Sequence, residues 1–302
     1  MSARTKHREN VTLLRSALFT PADKLDRFAK GYASGADAVV VDLEDGVGLS
    51  AKQAARNALL ELVPKLPESC FWILRINHVK TREGLLDLLA IETMGIKPPV
   101  IMLPKTESTA EIEIAVAHLS DRTGTPTIIA LVESAEGLSQ AENLARHPAV
   151  GALAFGGADL ASDLDAELAW EPMLFARSRL VQASALGGAA AWDVPYLKIA
   201  DLEGLRREAA SARALGFRGK LAIHPGQIAI INSVFTPDAD QLAFARRVVA
   251  ASEQAGGGVV VVDANMVDRP ILKAAQRAIS RAEPRRSSRQ EAQIPDDRGP
   301  LP

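Results

Sequence analysis

Four carboxylates in this 302-residue sequence stand where short β-branched runs end: Glu44 and Asp45 after Ala38–Leu43, Glu133 after Thr127–Val132, and Asp159 shortly after Gly151–Phe155. If those runs are parallel strands of one barrel, their carboxyl ends open on a single mouth, where such barrels hold their chemistry. Carboxylates crowded there repel each other and lose hydration unless a cation neutralises them, so the pattern points to a bound metal. The sequence offers oxygen donors without a CxxC, an HExxH or a nearby histidine pair. That donor set favours Mg²⁺, with Mn²⁺ as a substitute, over the softer zinc-type sites. Magnesium keeps several waters, so two protein carboxylates would suffice.

Other polar side chains share these strand ends. Arg75 interrupts the apolar run Ile73-Leu74-Arg75-Ile76. A buried guanidinium needs anions, either the acidic cluster or a substrate carboxylate gripped through two parallel hydrogen bonds. Lys105 in Leu103-Pro104-Lys105 has the chemistry of a Schiff-base amine, but a lysine among carboxylates keeps a high pKa and pairs with them instead. Asp42 and Asp45 have a second reading, as caps of the following helix or partners of Lys52 or Arg56. At the Glu133 junction, Ser134 is the better cap. The glycines Gly156-Gly157 ahead of Asp159 predict close backbone approach to a ligand. Asn77, Asp193 and His224 complete the strand-end set, His224 being either a base or a hydrogen-bonded wall of the barrel. Neither GxGxxG nor GxxxxGK[ST] occurs, so no residue is assigned to a nucleotide cofactor.

Bringing these groups together requires eight strands. The candidates are Leu13–Phe19, Ala38–Leu43, Trp72–Ile76, Val100–Leu103, Thr127–Val132, Gly151–Phe155, Ala189–Trp192 and Lys220–Ile223. Each carries little charge, as strands buried on both faces do. Between them lie amphipathic segments such as Asp23–Ser34, Ala51–Val63, Thr109–Leu119 and Leu202–Leu215. The alternation predicts a (β/α)₈ TIM barrel over residues 13–236, with an open doubly wound sheet as the rival. Residues 1–12 read as an N-terminal extension. Residues 237–282 read as a C-terminal helical lid or oligomerisation segment: a helix over Gln241–Gln254, a glycine break at 256–258, a β-rich Val259–Val262 and a helix from about Pro270 to Ala282. The polar stretch 283–302 predicts a disordered tail.

Composition narrows the class of partner. The formal charge is -2, which gives no long-range attraction for nucleic acid or an anionic membrane. No apolar run approaches the roughly 18 residues of a membrane span, and no hydrophobic signal core follows the N-terminus. A single cysteine, Cys70, rules out an internal disulfide. A cytoplasmic location is expected.

The motifs then form a recognisable order. Arg15-Ser16-Ala17-Leu18-Phe19-Thr20-Pro21 is followed by Val41-Asp42-Leu43-Glu44-Asp45-Gly46-Val47, Arg75-Ile76-Asn77, Leu103-Pro104-Lys105 and Glu133-Ser134-Ala135-Glu136-Gly137. Phe155-Gly156-Gly157-Ala158-Asp159-Leu160 and Gly219-Lys220-Leu221-Ala222-Ile223-His224-Pro225-Gly226-Gln227 complete the series. Over residues 13 to 280 this resembles the citrate lyase β-subunit and the malyl- and citramalyl-CoA lyases of the HpcH/HpaI aldolase superfamily.

The resemblance implies a Mg²⁺-dependent carbon–carbon lyase of the aldol or Claisen type. Its substrates would be β-hydroxyacyl thioesters, citryl, malyl or citramalyl groups on coenzyme A or an acyl carrier, giving an oxo-acid and an acyl thioester. By the same resemblance Glu133 and Asp159 are metal ligands, Arg75 holds the oxo-acid, and Glu44 with Asp45 orients metal-bound water and substrate. Glu133 also belongs to the substrate site. Asn265-Met266-Val267-Asp268-Arg269-Pro270 is similar to a segment whose aspartate acts as acid or base in a neighbouring subunit, which makes Asp268 a catalytic candidate alongside its reading as a helix N-cap. A homo-oligomer, trimeric or hexameric, is implied. His78 and Ala264-Asn265 depart from the family pattern beside the oxo-acid pocket and the lid. Two other activities remain open: a metal-dependent aldolase on free pyruvate-type oxo-acids, and a carrier-dependent citrate lyase β-type subunit inert alone.

Overall fold

The strands are β1 (Ser16–Pro21), β2 (Ala38–Asp42), β3 (Trp72–Arg75), β4 (Val100–Leu103), β5 (Thr127–Val132), β6 (Val150–Phe155), β7 (Ala190–Asp193) and β8 (Gly219–Ala222) in a computed structural model that describes residues 3–66, 70–120, 125–256 and 258–282. All eight pair parallel, in sequence order, and β1 pairs with β8 to close the barrel. A closed sheet has no edge strand, so the open doubly wound alternative is excluded. Alternate residues fill the interior, among them Val40, Ile73, Met102, Ile129, Leu131, Ala154, Trp192 and Leu221, all buried in one cluster. Their neighbours, such as Val39, Val41 and Leu153, are also buried, as expected of strands covered on the outside by helices.

The first strand starts at Ser16 rather than Leu13, because Leu13 ends a helix, Ala3–Leu13. Val11 and the following Leu14 join the barrel's interior cluster, so the apolar signal of a helix end runs directly into that of the strand. Helix starts are fixed by local chemistry: Ser134 accepts a hydrogen bond from the Gly137 N–H, Thr81 from that of Gly84 and Asp201 from that of Gly204.

The chain divides into two compact units, one comprising residues 1–66 and 71–235, the other residues 67–70 and 236–302. In the second, helices Ala239–Gln254 and Arg269–Ala282 flank a hairpin of β9 (Val260–Val262) and β10 (Asn265–Val267). Val248, Val262, Val267 and Ala275 form its core. The first helix begins with a capping box, Asp238 bonding the Gln241 N–H and Gln241 reaching back to Asp238. β10 was not expected from the sequence. Asp263 and Ala264 make the two-residue turn at φ 50° and 62°, left-handed values that cost a non-glycine residue roughly 1–2 kcal/mol. The departure at Ala264 thus falls on the turn residue itself. No described helix is long and apolar enough to cross a membrane. The expected tail, 283–302, lies outside the described residues, as does Gly257 of the glycine break.

Candidate active site

Arg75 ends β3 with its guanidinium almost wholly buried. Its Nε and Nη2 donate to Asp42 Oδ1 and Oδ2 at 2.7 and 2.6 Å, and Nη1 lies 2.9 Å from Glu44 Oε2. The guanidinium carbon sits 4.6 Å from the Phe19 ring centroid, a cation–π contact that fixes its plane. Burial works to lower the Arg75 pKa, but Asp42, Glu44 and Glu133 outweigh it and keep the group charged.

Asp42 is therefore neither a helix cap nor a partner of Lys52 or Arg56. Besides Arg75 it binds the backbone N–H groups of Glu44 and Gly46, which folds the segment after β2 around its carboxylate. Lys52 instead donates to the Leu43 and Glu44 carbonyls, 2.7 Å to each, and Arg56 pairs with Glu83 and Asp87 at 2.9 Å. Asp45 caps nothing: its side chain is largely exposed, with Oδ2 3.6 Å from Lys105 Nζ.

Lys105 has a left-handed backbone, φ 49°, unusual for a residue with a Cβ. That conformation aims its N–H at Glu133 Oε1, 2.7 Å away. Its ammonium lies 2.7 Å from Glu44 Oε1 and 3.9 Å from Asp159 Oδ2. Burial lowers its pKa, but Glu44, Asp45 and Glu133 raise it further, so the amine is held as a cation and is no Schiff-base nucleophile.

Glu133 is 7% exposed and follows β5, while Asp159 sits in the first turn of a short helix, Gly157–Asp163. Burial, reinforced by Glu44 and Asp159, pushes the Glu133 carboxyl up to about 8, against the opposing pull of Lys105. A buried carboxyl so disfavoured as an anion, facing a second carboxylate, fits a divalent cation. Among the described residues no group of three or more His, Cys, Asp or Glu side chains is placed to hold a metal. Two carboxylates plus water and substrate oxygens is the coordination magnesium accepts.

Gly156, which lines the same pocket, makes room for this carboxylate. A Cβ there would lie 2.3 Å from Glu133 Cβ and 2.6 Å from its Oε2, so the glycine makes the space in which Glu133 stands.

Arg75, Asp45, Glu133 and Asp159 share one pocket of about 730 Å³, with Glu44 joined to it through Arg75 and Lys105. Apolar walls come from Phe19, Leu131 and Phe155 and, after β7 and β8, from Val194, Leu197 and Ile223. Two exposed cations on the helix Leu25–Ala33, Arg27 and Lys30, also line it. The sequence reading missed them, although a basic pair three residues apart just after β1 was a signal available to it. His224 lines the pocket too, its Nδ1 accepting the Gly226 N–H. Asn77 binds Asp87 and the Leu43 carbonyl, while Asp193 is sealed in an ion cluster with Arg177 and Lys220. Asp268 belongs to the second unit, where its Oδ1 accepts the Ile271 N–H as a helix cap.

With this geometry described, the chain can be set beside known proteins. Residues 15–225 match the HpcH/HpaI aldolase/citrate lyase family, and residues 176–284 match the C–C bond lyases of the TIM-barrel fold. The chain is 40% identical over 273 residues to a citrate lyase subunit beta-like protein of Mycobacterium tuberculosis, covering 88% of this chain and 94% of that one. It is 32% identical over 282 residues to a (3S)-malyl-CoA thioesterase of Cereibacter sphaeroides, covering 89% and 94%. Among solved structures, the CitE protein of M. tuberculosis in complex with magnesium, acetoacetate and coenzyme A superposes with a TM-score of 0.75 at 36% identity, covering 89% of this chain and 98% of that one. The chain belongs to the HpcH/HpaI aldolase/citrate lyase family and is a lyase of the TIM-barrel fold.

Proposed function

We propose that this pocket makes or breaks the carbon–carbon bond of a β-hydroxyacyl thioester, of the citryl-, malyl- or citramalyl-CoA type, interconverting it with an oxo-acid and an acyl thioester. The observation that carries the reading is the buried Glu133 carboxyl facing Asp159 in a pocket that Arg75 also lines. Glu133 and Asp159 would hold Mg²⁺, or Mn²⁺ in its place, which supplies Lewis-acid polarisation of an oxo-acid carbonyl. Arg75, immobilised by Asp42 and the Phe19 ring, offers its charge and remaining N–H groups to the oxo-acid carboxylate. Glu44 and Asp45, tied to Lys105, orient water and substrate from behind. Arg27 and Lys30 place positive charge where the phosphates of coenzyme A, or of a carrier's prosthetic group, would enter.

In the cleavage direction the β-hydroxyl gives up its proton and the carbon–carbon bond breaks. Its electron pair passes to the thioester as an enolate, which takes a proton at carbon. Asp268 is proposed as the group exchanging that proton in a neighbouring subunit of a homo-oligomer, with residues 237–282 as lid and oligomer contact. Asp268→Asn retains a helix cap but removes the ionisable group. It should lower turnover at least ~10-fold with metal affinity unchanged, as read by steady-state kinetics and calorimetry; equal kinetics would leave Asp268 a cap only.

The function is tested by incubating the chain with malyl-, citramalyl- and citryl-CoA, with and without EDTA, and measuring oxo-acid release. Metal-dependent release on at least one is expected. Free thiol without oxo-acid would make it a thioesterase instead, turnover of free oxo-acid aldols alone a pyruvate-type aldolase, and activity only after an acyl carrier is added a carrier-dependent subunit.

A further inference from the structure

Gln227 is fully buried yet touches no group assigned to the chemistry. Its carboxamide ties two loops together. Nε2 donates to the Tyr196 carbonyl at 2.7 Å, and Oε1 accepts the Ile223 N–H at 3.1 Å. Tyr196 lies in the segment after β7, between the pocket-lining Pro195 and Leu197. Ile223 lies just past β8 and lines the pocket itself. One side chain therefore sets the spacing between two strips of the same apolar wall. A carboxamide carries its donor and its acceptor on separate atoms, so it gives a hydrogen to one loop and accepts one from the other. The segment after β7 has a second anchor, Tyr196 Oη donating to Asp201 Oδ2 at 2.7 Å. This arrangement lies on the β7–β8 side, whereas the metal-type carboxylates follow β5 and β6.

We infer that Gln227 is a positioning residue that sets the width of the apolar wall between the β7 and β8 loops, and so selects the substituent carried on the substrate's carbinol carbon. The inference rests on the pocket being the thioester site. A wall held by polar bonds at both edges resists spreading, so it discriminates between hydrogen and a methyl group at that carbon. A single added methylene in an apolar pocket is worth ~10- to 200-fold in selectivity.

The test compares Gln227→Leu and Gln227→Met, each of which loses both bonds, with Tyr196→Phe, which frees only the outer anchor at a half-buried position. Each is assayed on malyl-CoA and citramalyl-CoA, which differ by that methyl group, and titrated with Mg²⁺ by calorimetry. The expected result for both Gln227 variants is a change of at least about fivefold in the ratio of the two kcat/KM values, carried by KM. Magnesium affinity stays within about twofold, and Tyr196→Phe shifts the ratio the same way by less. An unchanged ratio in soluble, folded variants overturns the inference, as does an equal fall in every parameter including magnesium affinity, which would mark a purely structural role. Should both Gln227 variants fail to fold, Tyr196→Phe decides alone: a shifted ratio supports the inference and an unchanged one overturns it. A wild-type chain inactive on all thioesters removes the functional reading as well, whereas wild-type turnover with an unshifted variant ratio removes only the inference.

Discussion

Two clusters of charged side chains sit within the barrel unit, and they are built on opposite terms. At the mouth, among the described residues, Asp42, Glu44, Asp45 and Asp159 pair with Arg75 and Lys105, and Glu133 stands beside them, five carboxylates against two directly paired cations, with Arg27 and Lys30 farther out along the pocket. Under the helices Leu174–Gly187 and Leu202–Leu215, Arg177 and Lys220 meet Asp193 and Glu208, two against two. In the second cluster Arg177 is also held between the rings of Phe155 and Trp170, 5.0 and 4.8 Å from their centroids. Balance and enclosure make a cluster self-sufficient. The mouth sets more carboxylates than directly paired cations beside an open pocket, an imbalance that a divalent cation would redress.

The sharpest way to break this contrast is to remove one charged group from each side. Glu133→Gln or Asp159→Asn should cost at least ~10³-fold in turnover, several kcal/mol of transition-state stabilisation. In EDTA the same variants should melt no lower than the wild type, because a repulsion has been removed. A lower melting temperature there would make these carboxylates structural. Lys220→Met should do the reverse, costing about 3–5 kcal/mol in urea unfolding by leaving Asp193 under-compensated. Turnover per folded molecule should stay near wild type, and a variant of unaltered stability would show that the balance is not what holds the cluster.

The smallest effect is a pH dependence of opposite sign in the two places. Burial pushes Asp193 up, but Lys220 and Arg177 outweigh it and hold it below its ordinary range. Its contribution to stability is therefore present above that range and lost as pH falls through the lowered value. Glu133 is raised, so in metal-free protein its contribution is present at low pH and lost as pH rises from 4.5 towards about 8. Urea midpoints in EDTA should fall across that interval in the wild type and not in Glu133→Gln; identical profiles would refute the assignment.

Strand-forming runs were legible because burial on both faces leaves a local trace: Thr127–Val132 is six consecutive buried residues, and the strand has those ends. Glu44, Arg75, Glu133 and Asp159 were legible because strand ends of a barrel converge by topology alone. Asp42 stood among the strand-end acids, but its pairing was not legible, since its partner Arg75 lies 33 residues away. Gly156 was legible as a point of close approach, but what approaches it, Glu133 across the β5–β6 pair, was not. The β9–β10 hairpin escaped because its turn is Asp263-Ala264, without the glycine that advertises such a turn.

Asp193 and Lys220 are also register partners, and with Trp192 and Gly219 they make up the whole paired length of β7 with β8, two positions against five between β1 and β2. The barrel is thus stitched sparsely where this ion pair lies, as it is between β3 and β4, and here side chains add to what few main-chain bonds supply. Amide protons of β7 and β8 would exchange ahead of those in β1 and β2 once the charge pair is removed, and together with them while it stands.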